Sequence, residues 1–190
     1  SVATRQGDLR SLPGPWTDRA TGAGSGTFGC FVDPARRTGS GRTFAPETWS
    51  PPWSWVRALA ERVPATGAKV APGIDHAALP AATQAEWISI GGDLLEAGVW
   101  WGPLRQGPAR RVATVLPAGS APGQAAAGST GVLDDVEGIP VPTIGPVEGW
   151  LVEPDAAVIR AGLVSVLAER VAGHLIDPRI AYIVAAARPE

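Results

Sequence analysis

The sequence predicts an α/β fold, the second half of a doubly wound sheet, on three observations. An apolar run, Phe28-Gly29-Cys30-Phe31-Val32, stops abruptly at Asp33-Pro34-Ala35-Arg36-Arg37. A helical stripe follows over residues 53–63, then a short apolar strand at 68–71. Residues 86–102 then alternate in polarity on either side of Gly91-Gly92-Asp93, as two antiparallel strands and their turn would.

Residues 2–9 read as a short strand ending in Gly7-Asp8, with a Pro/Gly-rich connection over 12–26. The unbroken apolar run at 28–32 reads as a buried parallel strand. Pro34 has no N–H to give a ladder. It turns the backbone toward the carboxyl ends of the strands, where open α/β sheets bind their ligands. Residues 36–52 form a long polar loop. Trp53, Val56, Leu59, Ala60 and Val63 then share one helical face, with Ser50 as the expected N-cap and Pro51 in the first turn. Residues 75–82 read as one or two helical turns, and 110–116 as the hairpin partner of the strands before it. The Ala/Gly/Ser/Pro-rich residues 117–131 read as a flexible excursion, and 132–149 as irregular. Residues 154–172 read as one helix, with Val158, Leu163, Val166, Leu167 and Val171 in its stripe and Gly173 as its stop. A final strand is expected at 180–185, and a domain boundary near Gly149.

Composition narrows the class. The 190 residues are 45% hydrophobic and 18% charged, enough to bury a sizeable core. A net charge of -2 argues against strong non-specific nucleic-acid binding, though Arg pairs can still make a small basic patch. One cysteine, Cys30, excludes a disulfide framework or a cysteine metal cluster within the chain. Two dispersed histidines, His76 and His174, argue against zinc, so no metal is expected. No segment has transmembrane length or a signal-peptide pattern, so a cytoplasmic protein without membrane contact is the expectation. The chain holds no Met, even at position 1, and is expected to be the central slice of a longer protein. Gly22-Ala23-Gly24-Ser25-Gly26 precedes a strand, whereas a cofactor fingerprint follows one and opens a helix. No nucleophile elbow or Walker loop is present.

Several segments, in order, carry a family resemblance. They are Asp33-Pro34-Ala35-Arg36-Arg37, Arg42, Ser50-Pro51-Pro52, Lys69-Val70-Ala71-Pro72-Gly73-Ile74 and Gly91-Gly92-Asp93-Leu94. Trp101-Gly102-Pro103-Leu104, Glu153-Pro154-Asp155 through Leu163, Leu175-Ile176-Asp177-Pro178 and Ile180-Ala181-Tyr182 complete the set. Together they resemble actinobacterial class I S-adenosylmethionine-dependent methyltransferases that carry a THUMP-like C-terminal domain. The resemblance implies the C-terminal half of a Rossmann-like class I methyltransferase sheet over residues 1–149, and the start of a THUMP-like region over 150–190. It implies S-adenosylmethionine as cofactor and, because THUMP-type modules are associated with RNA, an RNA substrate. The Gly-rich loop and acidic residue that hold the cofactor in this family do not precede Asp8. An upstream half of the same enzyme, or a partner chain, is expected to supply them.

Within that resemblance, Asp33, Pro34, Ala35 and Arg36 form the acceptor-site loop. Asp33 or its adjoining carbonyl accepts hydrogen bonds from a target amine and helps remove its proton. The structural alternative is a turn or capping Asp before Pro. Asp8 is the candidate partner of the adenine amino group, with Leu9 packing on the ring; an exposed strand-end Asp is the alternative. Arg37 and Arg42 are candidate RNA contacts. Trp49 and Trp53 lie nearby as stacking candidates, Trp53 reading better as core. A non-catalytic binding or scaffold module, or an enzyme that completes its pocket across a dimer, is the competing reading.

Overall fold

A computed structural model describes residues 29–38, 41–42, 45–120 and 130–188. In chain order, the first half gives β1 (Cys30–Val32), β2 (Arg37–Thr38), β3 (Gly41–Arg42), α1 (Trp53–Arg62), β4 (Thr66–Val70), β5 (Thr83–Ile90) and β6 (Asp93–Trp101). Then come β7 (Arg111–Leu116), β8 (Gly131–Asp134), β9 (Trp150–Val152), α2 (Ala156–Ala161), α3 (Val164–Arg170), β10 (His174–Asp177) and β11 (Ile180–Ala185).

The main sheet has six strands in the order β1-β4-β6-β5-β7-β8. The β1–β4 and β5–β7 pairs are parallel and the other three antiparallel, so β1, β4, β5 and β7 all run the same way. Within the apolar run at 28–32, Cys30–Val32 does form a parallel strand, but β1 lies at one edge of the described sheet and Phe31 is 61% exposed rather than buried. A two-residue loop at Gly91 and Gly92, both at positive φ, closes the β5–β6 hairpin. A second sheet, β10-β11-β9, is antiparallel throughout.

Helices cover one face of the main sheet. Val56 and Ala60 of α1 join Ala157 and Ala161 of α2 in a single cluster with Ala68, Val70, Trp87, Val99 and Ala113 of the sheet. A smaller cluster of Ala168, Leu175 and Ile183 lies between α3 and the second sheet. That sheet starts at Trp150, beside the boundary expected near Gly149, yet α2 beyond the boundary packs on the first sheet.

Several local expectations change. The helix expected over 154–172 is two helices, because Gly162 adopts a left-handed conformation (φ 71°) that caps α2 and turns the chain into α3. Ser50 does not cap α1: Pro52 occupies that position, Ser50 pairs its backbone with Ala35, and Glu47 Oε2 accepts the Ser54 N–H at 3.2 Å. Residues 111–116 are no hairpin partner: β7 lies parallel to β5, with residues 102–110 crossing between β6 and β7. Gly131, expected to end the flexible excursion, and residues 132–134, expected to be irregular, form β8. The strands β9 and β10 are not predicted from the sequence.

Asp155 joins the helical layer to the sheet. Its Oδ1 accepts the Ala157 N–H at 2.7 Å as the N-cap of α2, and the hydroxyl of buried Ser89 at 2.6 Å. Asp155→Ala removes the cap and leaves a buried hydroxyl unpaired, an expected loss of about 2–3 kcal/mol by urea denaturation. Adding Ser89→Ala removes the orphaned hydroxyl and is expected to recover part of that loss.

Candidate functional site

Asp33 follows β1 directly, at the carboxyl end of a parallel strand. Pro34 is buried, Ala35 is exposed and Arg36 half-buried. The loop is tied down by two backbone bonds, Ala35 N–H to Ser50 O at 2.8 Å and Ser50 N–H to Ala35 O at 3.0 Å. The Asp33 side chain is therefore carried on a fixed backbone while remaining 62% exposed.

Strand register brings Lys69 and Glu96 to Asp33. Val32 pairs with Ala68 in the parallel β1–β4 ladder, and one step further sets Asp33 beside Lys69. Lys69 Nζ lies 3.9 Å from Asp33 Oδ2 and 3.1 Å from Glu96 Oε2. Gly98 stands opposite Lys69 in the antiparallel β4–β6 ladder, and Glu96 is two residues along on the same face. In the sequence Lys69 stands out only as part of the Lys69–Ile74 segment, and Glu96 does not stand out. The signal for both is the register, a long-range feature that a local pattern does not carry.

The same sheet face carries a fixed aromatic pair. Trp100 lies against Gly67 and Gly98, where a Cβ would approach the indole to 2.7 Å and 2.8 Å respectively, so only glycine leaves room for the ring. Its Nε1–H donates to Glu86 Oε2 at 3.3 Å, and the Thr114 hydroxyl donates to Glu86 Oε1 at 2.6 Å. Phe31 packs on it at a centroid distance of 6.0 Å. Asp33, Glu86 and Glu96 against Lys69 make this face acidic on balance.

Other candidates fall elsewhere. Asp8 and Leu9 lie outside the described residues. The backbones of Arg37 and Arg42 stand opposite one another in the β2–β3 ladder. Trp49 and Trp53 are both buried, which removes them as surface stacking platforms; they meet edge to face at 6.3 Å, and Trp53 Nε1–H donates to Ala78 O at 2.9 Å. The Trp49 Nε1–H has no hydrogen-bond partner among the described residues. Burial pushes the Cys30 thiol up, an effect its 3.0 Å contact with the Thr66 hydroxyl offsets only in part, so this sulfur is a poor nucleophile. His76 Nε2 bonds Arg160 O at 2.7 Å and His174 Nε2 bonds Pro146 O at 2.8 Å. Among the described residues no three His, Cys, Asp or Glu side chains come together to hold a metal ion, and no helix is long and apolar enough to cross a membrane.

The fold resembles that of a solved Rossmann-like α/β sheet. The chain superposes on the crystal structure of a putative methyltransferase from Porphyromonas gingivalis W83 with a TM-score of 0.58 at 17% identity, covering 84% of this chain and 40% of that one. At that identity the likeness is one of fold. In sequence, the chain is 32% identical over 157 residues to an uncharacterized S-adenosylmethionine-dependent methyltransferase of Mycobacterium tuberculosis, equally in strains CDC 1551 / Oshkosh and ATCC 25618 / H37Rv. The match covers 80% of this chain and spans 40% of the length of each relative. No family model matches.

Proposed function

We propose that this chain forms the acceptor side of an S-adenosylmethionine-dependent methyltransferase acting on RNA, of the actinobacterial class with a THUMP-like region beginning at the second sheet. The observation that carries the reading is the Asp33 carboxylate, held on a tied loop at the carboxyl end of β1 within a methyltransferase-like sheet. Relatives named as S-adenosylmethionine-dependent methyltransferases support its methyl-transfer part.

The described residues fit the cationic end of the cofactor. Two carboxylates, Asp33 and Glu96, against one ammonium, Lys69, leave a local negative charge beside the strand ends. The upstream half of the same enzyme, or a partner chain, holds the remainder. S-adenosylmethionine, when bound, would supply an electrophilic methyl group on a cationic sulfur that leaves as a neutral thioether. Asp33 accepts an N–H of the target amine, turns its lone pair into line, and receives the proton that the methylated nitrogen sheds. Arg37 and Arg42 contact RNA phosphate.

Calorimetric titration with S-adenosylmethionine, followed by transfer of tritiated methyl groups to total RNA, tests the reading in the full-length protein. Saturable one-to-one binding and labelled RNA are expected. Absence of binding heat removes the methyltransferase reading; binding with label in protein or small molecules instead removes the RNA reading.

A further inference from the structure

We propose that Lys69 is a positioning residue for Asp33, with Glu96 as its anchor, a role that rests on the methyl-transfer reading above. The Asp33 carboxylate extends from a loop into solvent, and among the described residues Lys69 is the one charged group within ion-pair distance of it. Side chains so exposed explore several rotamers, whereas in-line transfer needs one. Lys69 starts from a rigid base: β4 is paired on both sides, and its neighbours Ala68 and Val70 are buried.

The two distances divide the work. The ammonium is anchored by Glu96 at 3.1 Å and meets Asp33 at 3.9 Å. A carboxylate offers about four lone-pair sites, so one cation at one oxygen leaves Asp33 able to accept an amine N–H. Gly98 opposite Lys69 has no side chain to block the reach across to Glu96. Pairs this exposed add little to stability, so the arrangement has its consequence in orientation. The cluster keeps one net negative charge, complementary to the positive charge the acceptor nitrogen gains during transfer. Lys69 neither donates to the acceptor nor takes its proton.

The test uses the full-length protein with carbon-13 at its aspartate side-chain carboxyls, the Asp33 resonance being assigned by its loss in Asp33→Asn. Lys69→Met is expected to move that resonance and Lys69→Arg to leave it near the wild-type position. Transfer from tritiated S-adenosylmethionine to total RNA is expected to fall about tenfold in kcat for Lys69→Met at saturating cofactor, with the thermal midpoint unchanged, and to stay within about twofold for Lys69→Arg. A resonance that Lys69→Met does not move, or an unchanged kcat, overturns the positioning role. A fall in kcat matched by a fall in thermal midpoint also overturns it, in favour of a structural role. A wild-type protein that binds no cofactor and labels no RNA overturns the reading beneath it, whatever the resonance does.

Discussion

Asp33→Asn is expected to lower methyl transfer about a hundredfold while leaving the folding free energy within about 0.5 kcal/mol of wild type. The asymmetry follows from where the side chain sits. It is 62% exposed, and its described charged partner is an ammonium 3.9 Å away that stays paired to Glu96. Little native packing depends on it, since the loop backbone is held by Ala35 and Ser50. Asn keeps the shape but turns one acceptor into a donor and removes the charge. An amine N–H then meets an NH2 group or a weaker carbonyl, and the methylated nitrogen loses its local base. Initial rates with tritiated S-adenosylmethionine and total RNA, beside a urea melt of the same preparation, separate the two effects. Turnover within twofold of wild type would leave Asp33 as a turn residue only.

What was legible in the sequence was local. The stripe of α1 announced itself because five apolar side chains recur at helical spacing, and all but half-buried Leu59 are buried. Asp33 could be placed at a strand end because Pro34 stops a ladder. The β5–β6 hairpin was visible in its two glycines. Pairings between distant segments were not visible. Nothing in residues 111–116 says that they lie parallel to β5 rather than back along β6. Gly162 hid inside an apolar stripe that continues across it, since Leu163 is buried against the first core while Val164 and Leu167 reach the second. The site divides the same way: Asp33 was found from its neighbours in sequence, whereas Lys69 and Glu96 reach it only through two ladders of opposite sense. The acidic balance of that face follows from the same registers.

The largest loss of stability is expected at Trp87. Its side chain is fully buried in the middle of β5, with Ala97 of β6 and Ala113 of β7 as its cross-strand partners. Both partners are small and buried, which makes room for an indole beneath the helical layer. His76 packs against the ring at 5.0 Å, and Nε1–H donates to Pro72 O at 3.0 Å, fixing the loop that leaves β4. With alanines on both sides and backbone ladders holding the strands apart, the space cannot close when the ring is removed. Trp87→Ala is expected to cost about 4–5 kcal/mol, the upper part of the range for a large core truncation, with the unpaired Pro72 carbonyl included. Against a total of about 5–15 kcal/mol, the urea midpoint falls by about 2 M for a slope near 2 kcal/mol per M. Trp100→Ala is the control, because that indole is half-buried, on the face opposite the described helices. Its expected cost is about 1–2 kcal/mol. Equal losses at the two positions would mean that the face bearing Asp33 and Lys69 is as deeply covered in solution as the face beneath α1 and α2, and the acceptor site would then have to lie elsewhere.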